Sequence, residues 1–393
     1  MASAASSRCL FALILVLTSK NTHPKCIISR NASYCDTLQD LYTESTHTLQ
    51  KRVAISGTNL DEFKTVPVES ASKIEDLSVT KAVNKIPDDA FRNFHNLKTL
   101  SLVANPIERI GARVFRDLRV KVLGVTQCGV KNIEEGAFST LTQLEKLRLS
   151  GNNLTEIKKN VFNNLTVDTL VVSKNQVATI EKFAFAGLPN LGRLYLDNNY
   201  LTEFNVQDYV SDVGKLERLW LHGNNLTQIT NYMLEGLLGL KVLNLGFNFI
   251  SVIEPRSFGG TPNLNTLVLS NNVLKTVDGG VLPMGGLTQL GVLYLDHNRL
   301  MYLSSNFLFR LNGLKSMSLG GNPWRCPCLD LLLRWLNDNE VKLSCDKNYF
   351  SGNRPVCVDP SASKGCVYSY DDKLLKLFQD SSNQYPPAPF CLL

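Results

Sequence analysis

The chain has 393 residues, 44% of them apolar, so it is no disordered tail and can bury a core as one elongated domain or two compact ones. The formal net charge is +6, yet Lys and Arg are scattered along the whole length without a basic run, which argues against nucleic acid or an anionic membrane as partner.

The apolar stretch from Cys9 to Leu17, followed by Thr18 and Ser19, has the form of a secretory signal peptide, with removal expected near Lys20, so that residues 1–20 are lost. Such a stretch is too short to span a hydrocarbon core that needs about twenty apolar residues. No later segment is long enough either, and Cys391, third from the end, fits neither a prenylation box nor a lipid-anchor tail. The expectation is a secreted, soluble protein without membrane insertion. Residues 21–73 form an N-terminal unit in which Cys26 and Cys35, nine positions apart, close a small loop ahead of a degenerate repeat around Val53 and Ile55.

From 74 to 322 the chain repeats itself. The frame that begins LEKLRLSGNNLTEI at Leu144 recurs from Ile74, Leu97, Val120, Val167, Leu191, Leu216, Leu240, Leu264, Leu290 and Leu314, eleven copies spaced 23 to 26 residues apart. Leu147 and Leu149 alternate with polar neighbours, as in a short strand with one buried face, so each copy supplies one strand to a parallel sheet. The column Asn105, Asn152, Asn175, Asn199, Asn224, Asn248, Asn272, Asn298 and Asn322 follows each strand, where an amide that both donates and accepts can satisfy a turning backbone. Cys128 stands in that column as a buried thiol. A second column, running from Phe91, Phe115, Phe138, Phe162 and Phe185 through Tyr209 and Phe258, fills the space behind the sheet. Each copy must bury its apolar face on its neighbours.

These columns resemble the leucine-rich-repeat family of extracellular proteins, in its roughly 24-residue form, over about Val53 to Asn322. The resemblance implies an α/β fold, a horseshoe-shaped solenoid with a parallel sheet on its concave face and disulfide caps at both ends. Residues 323–393, opening Asn322-Pro323-Trp324-Arg325-Cys326-Pro327-Cys328 and continuing through the amphipathic stretch around Leu332 and Trp335, resemble the cysteine-rich C-terminal cap of secreted and receptor repeat proteins. Six cysteines follow where such caps usually hold four: Cys326, Cys328, Cys345, Cys357, Cys366 and Cys391. The resemblance implies Cys326 with Cys345, and Cys328 with Cys366 or Cys357. A zinc site is the rival reading of Cys-x-Cys, but secretion and the absence of histidine in this region weigh against it.

Nothing in the sequence assembles a catalytic cluster, a cofactor site or a metal site. His222 and His297 lie in repeats three strands apart, roughly 14 Å at about 4.8 Å per strand. Sequons at Asn31, Asn153, Asn164 and Asn225 mark glycosylation sites, the last three directed away from the sheet. The exposed strand positions remain: the central outward column reads Ser78, Ser101, Gly124, Arg148, Val171, Tyr195, Trp220, Asn244, Val268, Tyr294 and Ser318. Arg193 and Arg218 stand beside its aromatics, with Asp197, His222, Phe247, Asp296 and His297 further along the strands. Arg193, Tyr195, Arg218, Trp220, His222, Phe247 and Tyr294 have the composition of a binding hot spot and are the expected partner-binding residues. The expected function is recognition of an extracellular protein or glycan, in innate immunity or cell-surface signalling by resemblance to Toll-like ectodomains, axon-guidance ligands and circulating insect immune factors. The alternative is a structural matrix or adhesion component. Oligomeric state and ligand identity are not legible.

Overall fold

A computed structural model of the chain describes residues 26–29, 32–36, 50–56, 68–81, 85–344, 349, 356–358 and 365–384. The signal-like segment, Asn31, Cys345 and Cys391 lie outside the described residues.

Among the described residues fifteen strands form one sheet in which each neighbours the next in chain order. They are β1 (Cys26–Ile28), β2 (Ser33–Cys35), β3 (Arg52–Ser56), β4 (Asp76–Thr80), β5 (Thr99–Val103), β6 (Val122–Thr126), β7 (Lys146–Arg148) and β8 (Thr169–Val171). Then follow β9 (Arg193–Tyr195), β10 (Arg218–Trp220), β11 (Val242–Asn244), β12 (Thr266–Val268), β13 (Val292–Tyr294), β14 (Ser316–Ser318) and β15 (Lys342–Leu343). Among the described residues only β1 and β2 pair antiparallel, with Cys26 opposite Cys35 and joined to it by a disulfide; from β2 onward the pairing is parallel. The chain is thus a leucine-rich-repeat solenoid with disulfides at both ends.

The register follows from side-chain alternation. In β7, Leu147 is buried while Arg148 is exposed, and Leu147 faces Leu170 on the next strand, which faces Leu194. From Leu77 to Leu293 the repeats thereby stack leucine on leucine, with Met317 closing the column, each fully buried side chain worth roughly 1.5–3 kcal/mol. Behind the sheet Phe91, Phe115, Phe138, Phe162 and Phe185 form a continuous stack, consecutive ring centroids lying 5.9–6.2 Å apart.

The asparagine column is a hydrogen-bonded ladder. Asn199 Nδ2 donates to the carbonyls of Leu196 and Val172, while its Oδ1 accepts from the Val177 N–H of the preceding repeat. Each rung therefore ties one repeat to the one before it. Immediately before each rung stands a residue with left-handed backbone: Ala104, Gln127, Gly151, Lys174, Asn198, Gly223, Phe247, Asn271, His297 and Gly321, at φ between +52° and +71°. From Ala104 to His297 their N–H groups reach the next repeat, as Asn198 does to His222 O at 2.8 Å and Phe247 to Ser270 O at 2.9 Å. This conformation turns the chain inward beyond each strand.

At the C-terminal end, α1 (Cys326–Asp338) buries Leu329, Leu332 and Leu336 against the last repeat, and Trp324 donates its indole N–H to Leu319 O at 2.9 Å. Cys328 pairs with Cys366. Cys326 pairs with Cys357, which corrects the expected bond from Cys326 to Cys345. The cause is a short parallel pairing of Trp324–Arg325 with Cys357–Val358, which sets Cys357 opposite Trp324 and brings its Cα within 5.0 Å of Cys326.

Candidate partner-binding face

The outward residues of the sheet form three columns, and the middle repeats load them with cations and rings. In register across β9 and β10, Arg193 faces Arg218 and Tyr195 faces Trp220. The Tyr195 and Trp220 ring centroids are 5.5 Å apart at 45°, and Trp220 meets the His222 ring edge-on at 5.6 Å. Both aromatics are half-buried: each supports the other, so their rings are held before any partner arrives.

Two further cations belong to this surface and were missed among the expected site residues. Lys146 on β7 faces Thr169, which faces Arg193, while Arg148 faces Val171, which faces Tyr195. Lys146 is held below its ordinary pKa, first by partial burial and then by Arg148 and Arg193, with Asp168 opposing. Arg193 is paired to Asp168 at 2.7 Å. Among the described residues, Arg148 and Arg218 have no carboxylate within ion-pair distance. The result is a concave patch in which four cations stand beside a pair of rings, with Asp168 paired to Arg193 and Glu217 acting at longer range on Arg193 and Arg218.

Beyond Trp220 the patch changes. Asn244 and Val268, next in the same column, are buried, and Asn244 Oδ1 accepts from the Gly246 N–H at 3.1 Å. Tyr294 is half-buried two strands past Asn244, opposite Val268 and Ser318. Phe247 does not sit on a strand: it occupies the left-handed column at φ +53°, 38% exposed at the rim where the sheet ends. A bulky side chain there strains the backbone by an amount on the order of 1–3 kcal/mol, in a conformation that the ladder imposes on the equivalent residue of the other repeats.

The acidic residues of the third column do not project for binding, in contrast to their expected outward place. Asp197 and Asp296 are buried, because the neighbouring serines take their carboxylates. Asp197 accepts from Ser173 Oγ at 2.5 Å and from Asn198 Nδ2 at 2.9 Å. Asp296 accepts from Ser270 Oγ at 2.6 Å, from Ser318 Oγ and from His297 Nδ1 at 2.9 Å. Burial works to raise the Asp296 pKa, but hydrogen bonds from His297, Ser270 and Ser318 outweigh it and hold the carboxyl below its usual range. His297 Nε2 faces the hydroxyl of buried Tyr349 at 3.0 Å, locking this network to the C-terminal cap. His222 lies 3.8 Å from Asp197, yet burial pushes its pKa below the ordinary value despite that carboxylate, so at neutral pH it is uncharged. No three His, Cys, Asp or Glu side chains converge in metal-binding geometry among the described residues.

Of the sequon asparagines that are described, Asn153 and Asn225 directly follow ladder rungs and Asn164 lies beyond the phenylalanine column, all three off the concave sheet.

A family model for BspA-type leucine-rich-repeat regions matches residues 68–192 in six copies, and a second leucine-rich-repeat model matches residues 214–274. A phospholipase A2 inhibitor from Gloydius brevicaudus siniticus is 34% identical over 114 residues, 29% of this chain and 31% of that protein. Human chondroadherin is 41% identical over 106 residues, 26% of this chain and 25% of that one. The matches thus span about a third or less of these relatives. Among solved structures, the Toll–Spatzle complex, described as a molecular hub in Drosophila development and innate immunity, aligns with a TM-score of 0.64 at 19% identity, covering 79% of this chain and 45% of that one. Repeat spacing, sheet, ladder and these likenesses agree: the chain is a leucine-rich-repeat protein whose solenoid resembles a Toll-like ectodomain in fold.

Proposed function

We propose that this protein is a secreted recognition module that holds an extracellular protein partner on its concave face, through Arg193, Tyr195, Arg218, Trp220, His222, Phe247 and Tyr294, joined by Lys146 and Arg148. One observation carries the reading: four cations from β7, β9 and β10 lie in register beside a preassembled Tyr195–Trp220 pair, and among the described residues Asp168 is the only carboxylate within ion-pair distance of them. Aromatic and arginine side chains on a rigid support are the usual energetic centre of an interface, and crowded cations favour an acidic partner segment. Disulfides suit an oxidising compartment, and no helix of the described residues is long and apolar enough to cross a membrane. Relatives named for a phospholipase A2 inhibitor and for the Toll–Spatzle complex support a protein partner, and the latter an innate-immune setting.

The two Ser–Asp–His groups support a non-enzymatic role. Their serines donate to aspartate and leave the histidine facing a tyrosine or an aromatic ring, whereas a nucleophilic serine must be bonded to histidine. Capture from extracellular fluid with the glycosylated protein and with an Arg193→Glu/Arg218→Glu variant tests the reading. A saturable protein partner retained by the wild type and lost by the folded variant is expected. Equal capture by both contradicts it, and multimerisation of the protein alone in light scattering favours a matrix role instead.

A further inference from the structure

Tyr200, Asn225 and Phe249 hold one position in three successive repeats. Each directly follows a ladder asparagine, and their N–H groups donate one repeat back, to Val177, Leu201 and Leu226, at 2.8–2.9 Å. With repeats stacked about 4.8 Å apart, Tyr200 and Phe249 stand roughly 10 Å apart with Asn225 midway between them. Both aromatics are more than half exposed, Tyr200 at 55% and Phe249 at 57%, and Val252 beyond Phe249 is exposed as well. This is an apolar shelf on the flank of the solenoid, outside the concave face, and its centre is the sequon Asn225-Leu226-Thr227. The same position three repeats earlier provides a contrast. Asn153 of the sequon Asn153-Leu154-Thr155 is flanked by Gly129 and Gln176, with no ring on either side. Asn153 is exposed, whereas Asn225 is partly covered.

We propose that the N-linked glycan on Asn225 lies down on Tyr200 and Phe249, its first sugar rings covering the aromatic shelf with their C–H faces, while the glycan on Asn153 stands free in solvent. The shelf then has an occupant supplied by this chain, and the protein partner is left the concave face. Attachment forms a bond from Asn225 Nδ2 to the anomeric carbon of a lipid-pyrophosphate-linked oligosaccharide; the lipid pyrophosphate leaves and Nδ2 gives up one proton to a base of the transferring enzyme. A pyranose ring presents an apolar face that matches an aromatic ring, and each large ring so covered removes a substantial area from water. The proposal rests on the secretion reading and is independent of which residues bind the partner.

The test uses the full-length protein secreted from eukaryotic cells that make high-mannose glycans, with occupancy mapped by mass spectrometry and release by endoglycosidase H followed site by site. Release from Asn225 should be slower than from Asn153 by roughly threefold or more in the native protein and equal to it after denaturation. In a Tyr200→Ser/Phe249→Ser variant, both changes being at exposed positions, native release from Asn225 should rise to the Asn153 rate. Equal native rates in the wild type, unchanged protection in the double variant, or a bare Asn225 beside an occupied Asn153 would each overturn the proposal alone. Bare asparagines at 153, 164 and 225 together would overturn the secretion reading with it.

Discussion

Cys128 Sγ and Asn105 Nδ2 perform one task in adjacent repeats. The single thiol proton is shared between the carbonyls of Leu102 and Thr126 at 3.4 and 3.3 Å, whereas the amide donates one N–H each to those of Val79 and Val103 at 2.8 and 3.1 Å, so each reaches twenty-six and two residues back. What the thiol lacks is the accepting oxygen, and the Ile107 N–H bonds instead to the Cys128 backbone carbonyl at 2.9 Å. Replacing Cys128 by Ala should therefore cost only about 1–2 kcal/mol. Asn152→Ala should cost more, about 3 kcal/mol, since it strands the N–H groups of Cys128 and Val130 and two buried carbonyls. Denaturant unfolding of both variants measures the difference. A smaller loss for Asn152→Ala than for Cys128→Ala would contradict the ladder account.

Burial pushes the Cys128 thiol above its ordinary pKa. A raised folded value means that the thiol's contribution is present below the unfolded pKa of about 8.5 and is lost as pH rises past it. Native protein at neutral pH should resist alkylation at Cys128 and become labelled only on unfolding. Non-reducing peptide mapping should then recover Cys26 with Cys35, Cys326 with Cys357 and Cys328 with Cys366. A Cys326–Cys345 peptide from folded protein would refute the arrangement of the C-terminal cap described above.

His222 gives the concave face a pH dependence. Its pKa is depressed, chiefly by burial, so the stabilisation belongs to the neutral ring: it is present above the ordinary value of 6.5 and is lost as pH falls below it. Because the ring lies edge-on to Trp220, acidification should quench Trp220 fluorescence and loosen the Tyr195–Trp220 pair, weakening partner binding at mildly acidic pH. A His222→Gln variant should lose that fluorescence transition. An unchanged transition in the variant would show that another group reports.

The solenoid was legible because its signals are periodic. Leucines, ladder asparagines and the phenylalanine column repeat at a spacing that one short frame exposes, and the sheet order follows directly. The site was legible in part. Tyr195 and Trp220 share an outward column that alignment of frames reveals. Lys146 and Arg193, however, are 47 positions apart in the chain, and only the register through Thr169 brings their charges together. Asp197 and Asp296 fit the outward alternation, but the serines that bury them come from neighbouring repeats, Ser173 for one and Ser270 and Ser318 for the other. The strain at Phe247 had a visible signal, since Gly151, Gly223 and Gly321 fill the same column in other copies. The pairing of Cys326 had none: six cysteines permit fifteen connectivities, and the choice depends on a two-residue strand pairing formed only in the folded cap.

The central claim is tested most directly by affinity for the captured partner, measured on Tyr195→Ala and Trp220→Ala beside the wild type. Both rings are half-buried and support each other, so each variant should lose some stability, about 0.5–1.5 kcal/mol for the broken pair, while circular dichroism stays native. Binding should weaken by about 2 kcal/mol or more in Trp220→Ala, which is roughly thirtyfold in Kd. Unchanged affinity in both folded variants would contradict the account and move the binding surface off the concave face.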